Sequence, residues 1–204
     1  MTAPAAPTEA GSAKRRILDT AAALFYEHGF HAVGVDLVIE QAGVAKTTLY
    51  RHFSSKDELI VAYLEDANAK FWTWFDGTLD PRAGAEEQLI GVFDAVATLA
   101  SGRACRGCAF QVTAAEFPEA HHPGHATALA HKQAVRRRLR RLAADAGATD
   151  PATLADGLLL LMDGAFAAAR MYQRSSPAIH VADAARVLTH AHTSTVQRPR
   201  RAGR

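Results

Sequence analysis

Cysteine is nearly absent. Two thiols, Cys105 and Cys108, in 204 residues are too few for a disulfide framework. An excess of charge of one sign is also missing: 23 Lys and Arg face 21 Asp and Glu, a net charge of +2. Affinity for a polyanion must therefore come from local pattern, not from the whole-chain field. No apolar run approaches the roughly 20 residues of a membrane span. The opening stretch, MTAPAAPTEAGSA, lacks the early positive cluster and apolar segment of a secretion signal. These absences predict a cytoplasmic chain with no membrane partner. No segment alternates convincingly as a strand does. No nucleophile, base and orienting group occur in a recognisable order, so neither enzymatic activity nor a cofactor is expected.

What is present is an ordinary globular composition, 49% hydrophobic and 22% charged, carried almost throughout by helical periodicity. An all-α fold follows. Residues 1–13 and 194–204 have little apolar bulk and are expected to be disordered tails, the second one basic. A first helix starts near Lys14, places Ile17, Leu18, Ala21, Leu24 and Phe25 on one face, and stops at Gly29. A second covers about Asp36 to Ala42 with Val38, Ile39 and Ala42 inward. A third follows Val44 and runs to about His52.

Two short helices joined across Ala42, Gly43 and Val44 form a helix-turn-helix, with glycine giving the tight turn its backbone freedom and Val44 plugging the corner. The short helix KTTLYRHF anchors through Leu49 and Phe53, leaving Lys46, Thr47, Thr48, Tyr50, Arg51 and His52 outward. No acid occurs from Gln41 through Lys56. A face of donors and cations at a helix N-terminus suits the phosphate-lined major groove of double-stranded DNA. Arg51 is open to phosphate, to solvent or to an acid of its own chain. Ser55 and Glu58 read as a capping box opening the fourth helix, with Lys56 placed in its first turn for a further phosphate.

The stretch RILDTAAALFYEHGFHAVGVDLVIEQAGVAKTTLYRHFSSKDELIVAYL resembles the DNA-binding domain of the TetR/AcrR family of bacterial repressors over about residues 14 to 64. The resemblance implies a recognition helix at about 46–52, phosphate contacts from Thr48, Tyr50, His52 and Lys56, and base contacts from Lys46 and Thr47. The sequence departs from the family pattern at Gly34, where a Thr or Ser cap is common, and at Thr47, which is often glycine. It implies a division into a DNA-binding domain over 14–60 and a helical effector-binding and dimerisation domain over 61–193. The partners it implies are operator DNA, a second copy of the chain in a homodimer, and a small-molecule effector. Ligand occupancy would tilt the two heads out of register, about 34 Å apart on DNA.

The remainder is read residue by residue. A fourth helix runs past Phe71, Trp72, Trp74 and Phe75 to a break near Gly77 and Pro81. Helices follow at about 85–100, 107–117, 126–146, 151–174 and 179–193. Their aromatic stripes serve either as plain core or as the wall of an apolar pocket. The pocket candidates are Phe71, Trp74, Phe75, Phe93, Phe110, Gln111, Phe166 and Tyr172. Leucine and alanine on more than one side of the last two helices imply burial beyond one subunit's core. The resemblance puts a four-helix dimer interface there, with Leu154, Leu158, Leu161, Ala165, Val181, Ala185 and Leu188. The spacing Cys105-Arg-Gly-Cys108 admits a redox switch, and His121, His122, His125 and His131 with Glu116 and Glu119 admit a metal sensor. Each is held as an alternative, and no metal site is assigned. The arginines from Arg136 to Arg141 read as a solvated face or as partners of acids.

Overall fold

The computed structural model describes residues 12–194. Among them the regular structure is entirely helical: α1 (Ala13–His28), α2 (Val35–Ala42), α3 (Lys46–His52), α4 (Lys56–Gly77), α5 (Ala85–Ala100), α6 (Ala109–Glu116), α7 (Pro123–Asp145), α8 (Pro151–Tyr172) and α9 (Val181–Thr193). Short 3-10 turns at Gln173–Ser175 and Pro177–His180 lead into α9. The all-α expectation holds. Of the expected tails, residues 1–11 and 195–204 lie outside the described residues. Ser12 caps α1, its hydroxyl accepting from the Arg15 amide at 3.1 Å, and Ala13 is already helical.

The helices gather into two compact units, one ending at Trp74 but including Arg106–Gln133, the other made of Phe75–Cys105 and the chain from Ala134 onward. Compaction thus follows space, not chain order: α6 and the first half of α7 pack with the helices before Trp74. The core of this first unit is Ile17, Leu24, Phe25, Phe30, Val38, Leu49, Phe53, Leu59 and Leu64, joined by Phe110, Phe117 and Ala128. Phe30 lies at the middle of an aromatic knot, its ring centroid 5.0 Å from Phe25, 5.9 Å from Tyr63 and 5.7 Å from Phe117. Each such phenyl ring stabilises the unit by about 2–3 kcal/mol through removal from water.

Helix α7 begins earlier than the sequence suggests. Pro123 and Gly124 read as a break, yet proline in a first helical turn has no amide to leave unsatisfied. The buried Gly124 amide, in the same first turn, donates to His122 Nδ1 at 3.1 Å.

In the second unit α5, α8 and α9 pack around Leu89, Val92, Phe93, Val96, Leu154, Leu158, Met162 and Ala185. Arg136 is paired with Asp156, its Nη2 reaching Oδ2 at 2.6 Å, and Arg138 with Asp76 at 3.1 Å. Arg137, Arg140 and Arg141 are exposed. By length and composition alone α8 is apolar enough to cross a membrane. The apolar run itself is interrupted by Asp156 and Asp163, as the sequence shows. It is no evidence of a span, because Leu154, Leu158, Met162, Phe166 and Ala169 are core residues of the unit.

Leu154, Leu158, Ala165, Val181 and Ala185 are buried in the chain's own core, and Leu188 packs over Gly157, where an added Cβ would lie 2.8 Å from Leu188 Cδ2. The face these helices leave uncovered is turned away from that core. Leu160 keeps 73% of its surface exposed and Val187 71%. Leu160 also lines an open groove of about 280 Å³, with Leu161, Gly164, Ala168, Val181 and Ala184 among its other walls.

Candidate nucleic-acid interface

The turn between α2 and α3 is fixed by Gly43, which takes the left-handed conformation (φ 61°, ψ 42°). Its amide donates to Glu40 O at 3.2 Å, and the Val44 amide to Ile39 O at 3.3 Å, so the last carbonyls of α2 are satisfied inside the turn. Val44 packs against the core of the unit. From this corner α3 departs with Leu49 and Phe53 both fully buried as its two anchors. The opposite face, Lys46, Thr47, Tyr50 and Arg51, is exposed, with Thr48 and His52 half-buried beside it. All the residues expected to meet DNA on α3 therefore lie on one accessible surface. Arg51 makes no ion pair with an acid among the described residues, which leaves it to solvent or phosphate.

Lys46 Nζ donates to Asp36 Oδ1 on α2 at 3.0 Å. The hydrogen bond it gives to this carboxylate raises the Lys46 pKa above its ordinary value. Asp36 was not among the residues singled out by sequence, since nothing local shows that α2 presents it to the first residue of α3. Lys56 Nζ donates to Phe30 O at 2.6 Å, which uses one of its three N–H groups and leaves the others for a phosphate. Lys14 lies over the Phe53 ring, 5.7 Å from its centroid, a cation also missed by the motif.

The capping box before α4 is shifted by one residue. Ser55 Oγ accepts from the Glu58 amide at 3.1 Å as expected. Glu58 Oε2, however, reaches past Ser55 to the Ser54 amide at 2.7 Å and the Ser54 hydroxyl at 2.6 Å. These Ser54 donors hold the Glu58 carboxyl below its ordinary range. Gly34 caps α2 with extended backbone and no side-chain bond.

The pocket candidates fall into both units. In the first, Phe71 and Phe110 adjoin a buried His131, whose ring stacks on Phe110 at 3.6 Å and meets Phe71 edge-on at 4.7 Å; Trp74 lies 5.5 Å from Phe71 and Gln111 follows Phe110 on α6. In the second, Phe75, Phe93 and Phe166 are buried in the core, while Tyr172 is exposed at the end of α8. Among the described residues no three His, Cys, Asp or Glu side chains come together as a metal ligand set. His122 stacks on Phe117, His125 Nδ1 is bonded to Phe117 O at 2.8 Å, and His131 Nδ1 to Asn68 Oδ1 at 2.8 Å. Both cysteines are free thiols, and Cys108 sits at the cap of α6 and packs on the first unit's core.

Residues 17–63 match the family model described as bacterial regulatory proteins, tetR family. The crystal structure of a TetR-family transcriptional regulator from Streptomyces coelicolor superposes with a TM-score of 0.85 at 32% identity, over 89% of this chain and 96% of that one. The chain belongs to the TetR family of transcriptional regulators. A second TetR-type regulator structure, from Streptomyces avermitilis, is also 32% identical, with a TM-score of 0.71 over 85% of this chain and 98% of that one. Among curated relatives, the HTH-type transcriptional repressor KstR2 of Rhodococcus jostii is 35% identical over 102 residues, 47% of this chain and 50% of that protein. The matched stretches span half or less of the length of these curated relatives. In this TetR-family chain, α2 and α3 lie within the stretch that matches the family model and form its helix-turn-helix.

Proposed function

We propose that this TetR-family chain is a repressor that binds operator DNA as a homodimer in the cytoplasm and is released by a small molecule. The observation that carries the reading is the single exposed face of α3, with Lys46, Thr47, Tyr50 and Arg51 outward above the fully buried anchors Leu49 and Phe53. Such a face puts donors and cations where phosphates and base edges lie when a helix enters the major groove. Repression is supported by the 35% identity to KstR2, a repressor. The head alone does not decide the sign of regulation, since the transcriptional activator FasR of Mycolicibacterium smegmatis is 46% identical over 50 residues. Support for a dimer comes from the uncovered apolar face of α8 and α9 with its groove. Effector response is supported by the uninterrupted α4, which begins at Lys56 beside the recognition helix and carries Phe71, Trp72 and Trp74.

Selection of genomic fragments by the purified chain, followed by mobility shift at two salt concentrations with non-specific competitor, tests this. We expect specific binding that Tyr50→Ala weakens and that Lys56→Ala weakens with a loss of about one unit from the salt slope. Binding without sequence preference, unchanged in both variants, would refute an operator-binding role. A panel of apolar and amphipathic small molecules added to the same shift then tests release: at least one should lower operator affinity, and by linkage bind less tightly when operator is present.

A further inference from the structure

Glu116, the last residue of α6, is bonded to a turn 86 positions away in the chain. Its Oε2 accepts from the amides of Phe30 and His31, both at 2.8 Å, while its own carbonyl lies 2.9 Å from His31 Nε2. The turn joins α1 to α2, the first helix of the helix-turn-helix. It opens at Gly29 (φ 81°), and a Cβ at that position would lie 2.5 Å from Glu116 Oε1. The other side of the same residue is held as well, since Lys56 of α4 donates to Phe30 O at 2.6 Å and the Phe30 ring is 1% exposed within the aromatic knot. Phe30 is thus clamped at its amide by α6, at its carbonyl by α4 and at its ring by the core.

A carboxylate that accepts two backbone amides forms charge-assisted bonds of fixed direction, unlike apolar packing, which tolerates sliding. We infer that Glu116 is a positioning residue for DNA recognition: it fixes α2, and with it the recognition helix, relative to α6. This rests on the operator-binding dimer proposed above. Two recognition helices can occupy two half-sites together only if each head is held in one orientation, so loosening the clamp costs affinity for the full operator and not for a lone half-site.

The test uses the full chain with two duplexes, the operator recovered by selection and a single half-site cut from it, together with hydrogen exchange at the Phe30 and His31 amides. Glu116→Ala is expected to lower operator affinity about tenfold, within the usual range of coupling between sites, while leaving half-site affinity unchanged and removing protection at both amides. Glu116→Gln, whose amide oxygen can accept the same two bonds, should restore the operator-to-half-site ratio. Glu116→Asp, which keeps the charge but withdraws the oxygens, should behave as Glu116→Ala does and takes its place if the alanine variant does not fold. An unchanged ratio in Glu116→Ala or Glu116→Asp overturns the inference while the operator reading stands. A wild-type chain with no preference for the full operator over the half-site overturns both.

Discussion

His131 shows how one side chain can be predicted in kind but not in role. Trp72 Nε1, which can only donate, is bonded to Asn68 Oδ1 at 3.0 Å, so the amide oxygen faces the ring and His131 Nδ1 must donate to it. The ring lies among aromatics, and burial pushes its pKa from 6.5 down to about 3, with Lys132 adding to the effect, so that it is neutral at ordinary pH. The unfolded ring takes up a proton below about 6.5 and the folded ring does not. Protonation thus favours the unfolded state, and stability falls as pH drops from 6.5 towards 3, by up to about 1.4 kcal/mol per pH unit. His131→Phe keeps the stack on Phe110 and removes the titration. At neutral pH it should cost about 1 kcal/mol for the lost Asn68 bond. In denaturant unfolding at a series of pH values, its stability should decline less steeply with acid than that of the wild type. Parallel curves would mean that water reaches the ring and that its neutrality is not imposed by burial.

At the scale of elements, the helix-turn-helix was legible because its signals are local. Leu49 and Phe53 lie one helical turn apart, Gly43 is the residue type that a left-handed turn favours, and α3 runs from Lys46 to His52 as its anchors require. The bounds of α5, Ala85–Ala100, were equally readable from a long apolar stripe. Where partners come from distant sequence, the reading failed or was silent. In sequence Glu116 reads as a candidate metal ligand, whereas its carboxylate serves the turn between α1 and α2. Asp36 and Lys46 met only once the turn angle was known. Gly43 supplies a quantitative check of the local part, because a Cβ there would meet nothing within 4 Å, so a substitution reports backbone conformation alone. Gly43→Ala should lower stability by about 1–2 kcal/mol, and Gly43→Asn by less, as asparagine tolerates the left-handed region better. Equal losses for the two would point to a packing cost that the open surroundings of the residue do not predict.

For the whole molecule, the decisive surface is the face of α8 and α9 that the chain itself leaves uncovered. The sequence showed apolar residues on several sides of both helices but could not show which side α5 would take, and α5 took much of the side first assigned to a second subunit. Leu160 and Val187, each more than two-thirds exposed, are large apolar residues with surface to gain from a partner, and the small residues Gly164, Ala168 and Ala184 line the groove with Leu160, where a second pair of helices can approach closely. A charge placed here should disrupt association without touching the core. Leu160→Glu and Val187→Asp are expected to give folded monomers by light scattering, with helical content and half-site affinity retained. Operator affinity should then fall by roughly two orders of magnitude or more, since the second head no longer binds at high effective concentration. The contrasting variant is Leu158→Glu, which buries a carboxylate in the chain's own core and should prevent folding outright. If Leu160→Glu and Val187→Asp remain dimers, the two copies associate through another surface, and the groove between Leu160 and Ala184 must be explained in some other way.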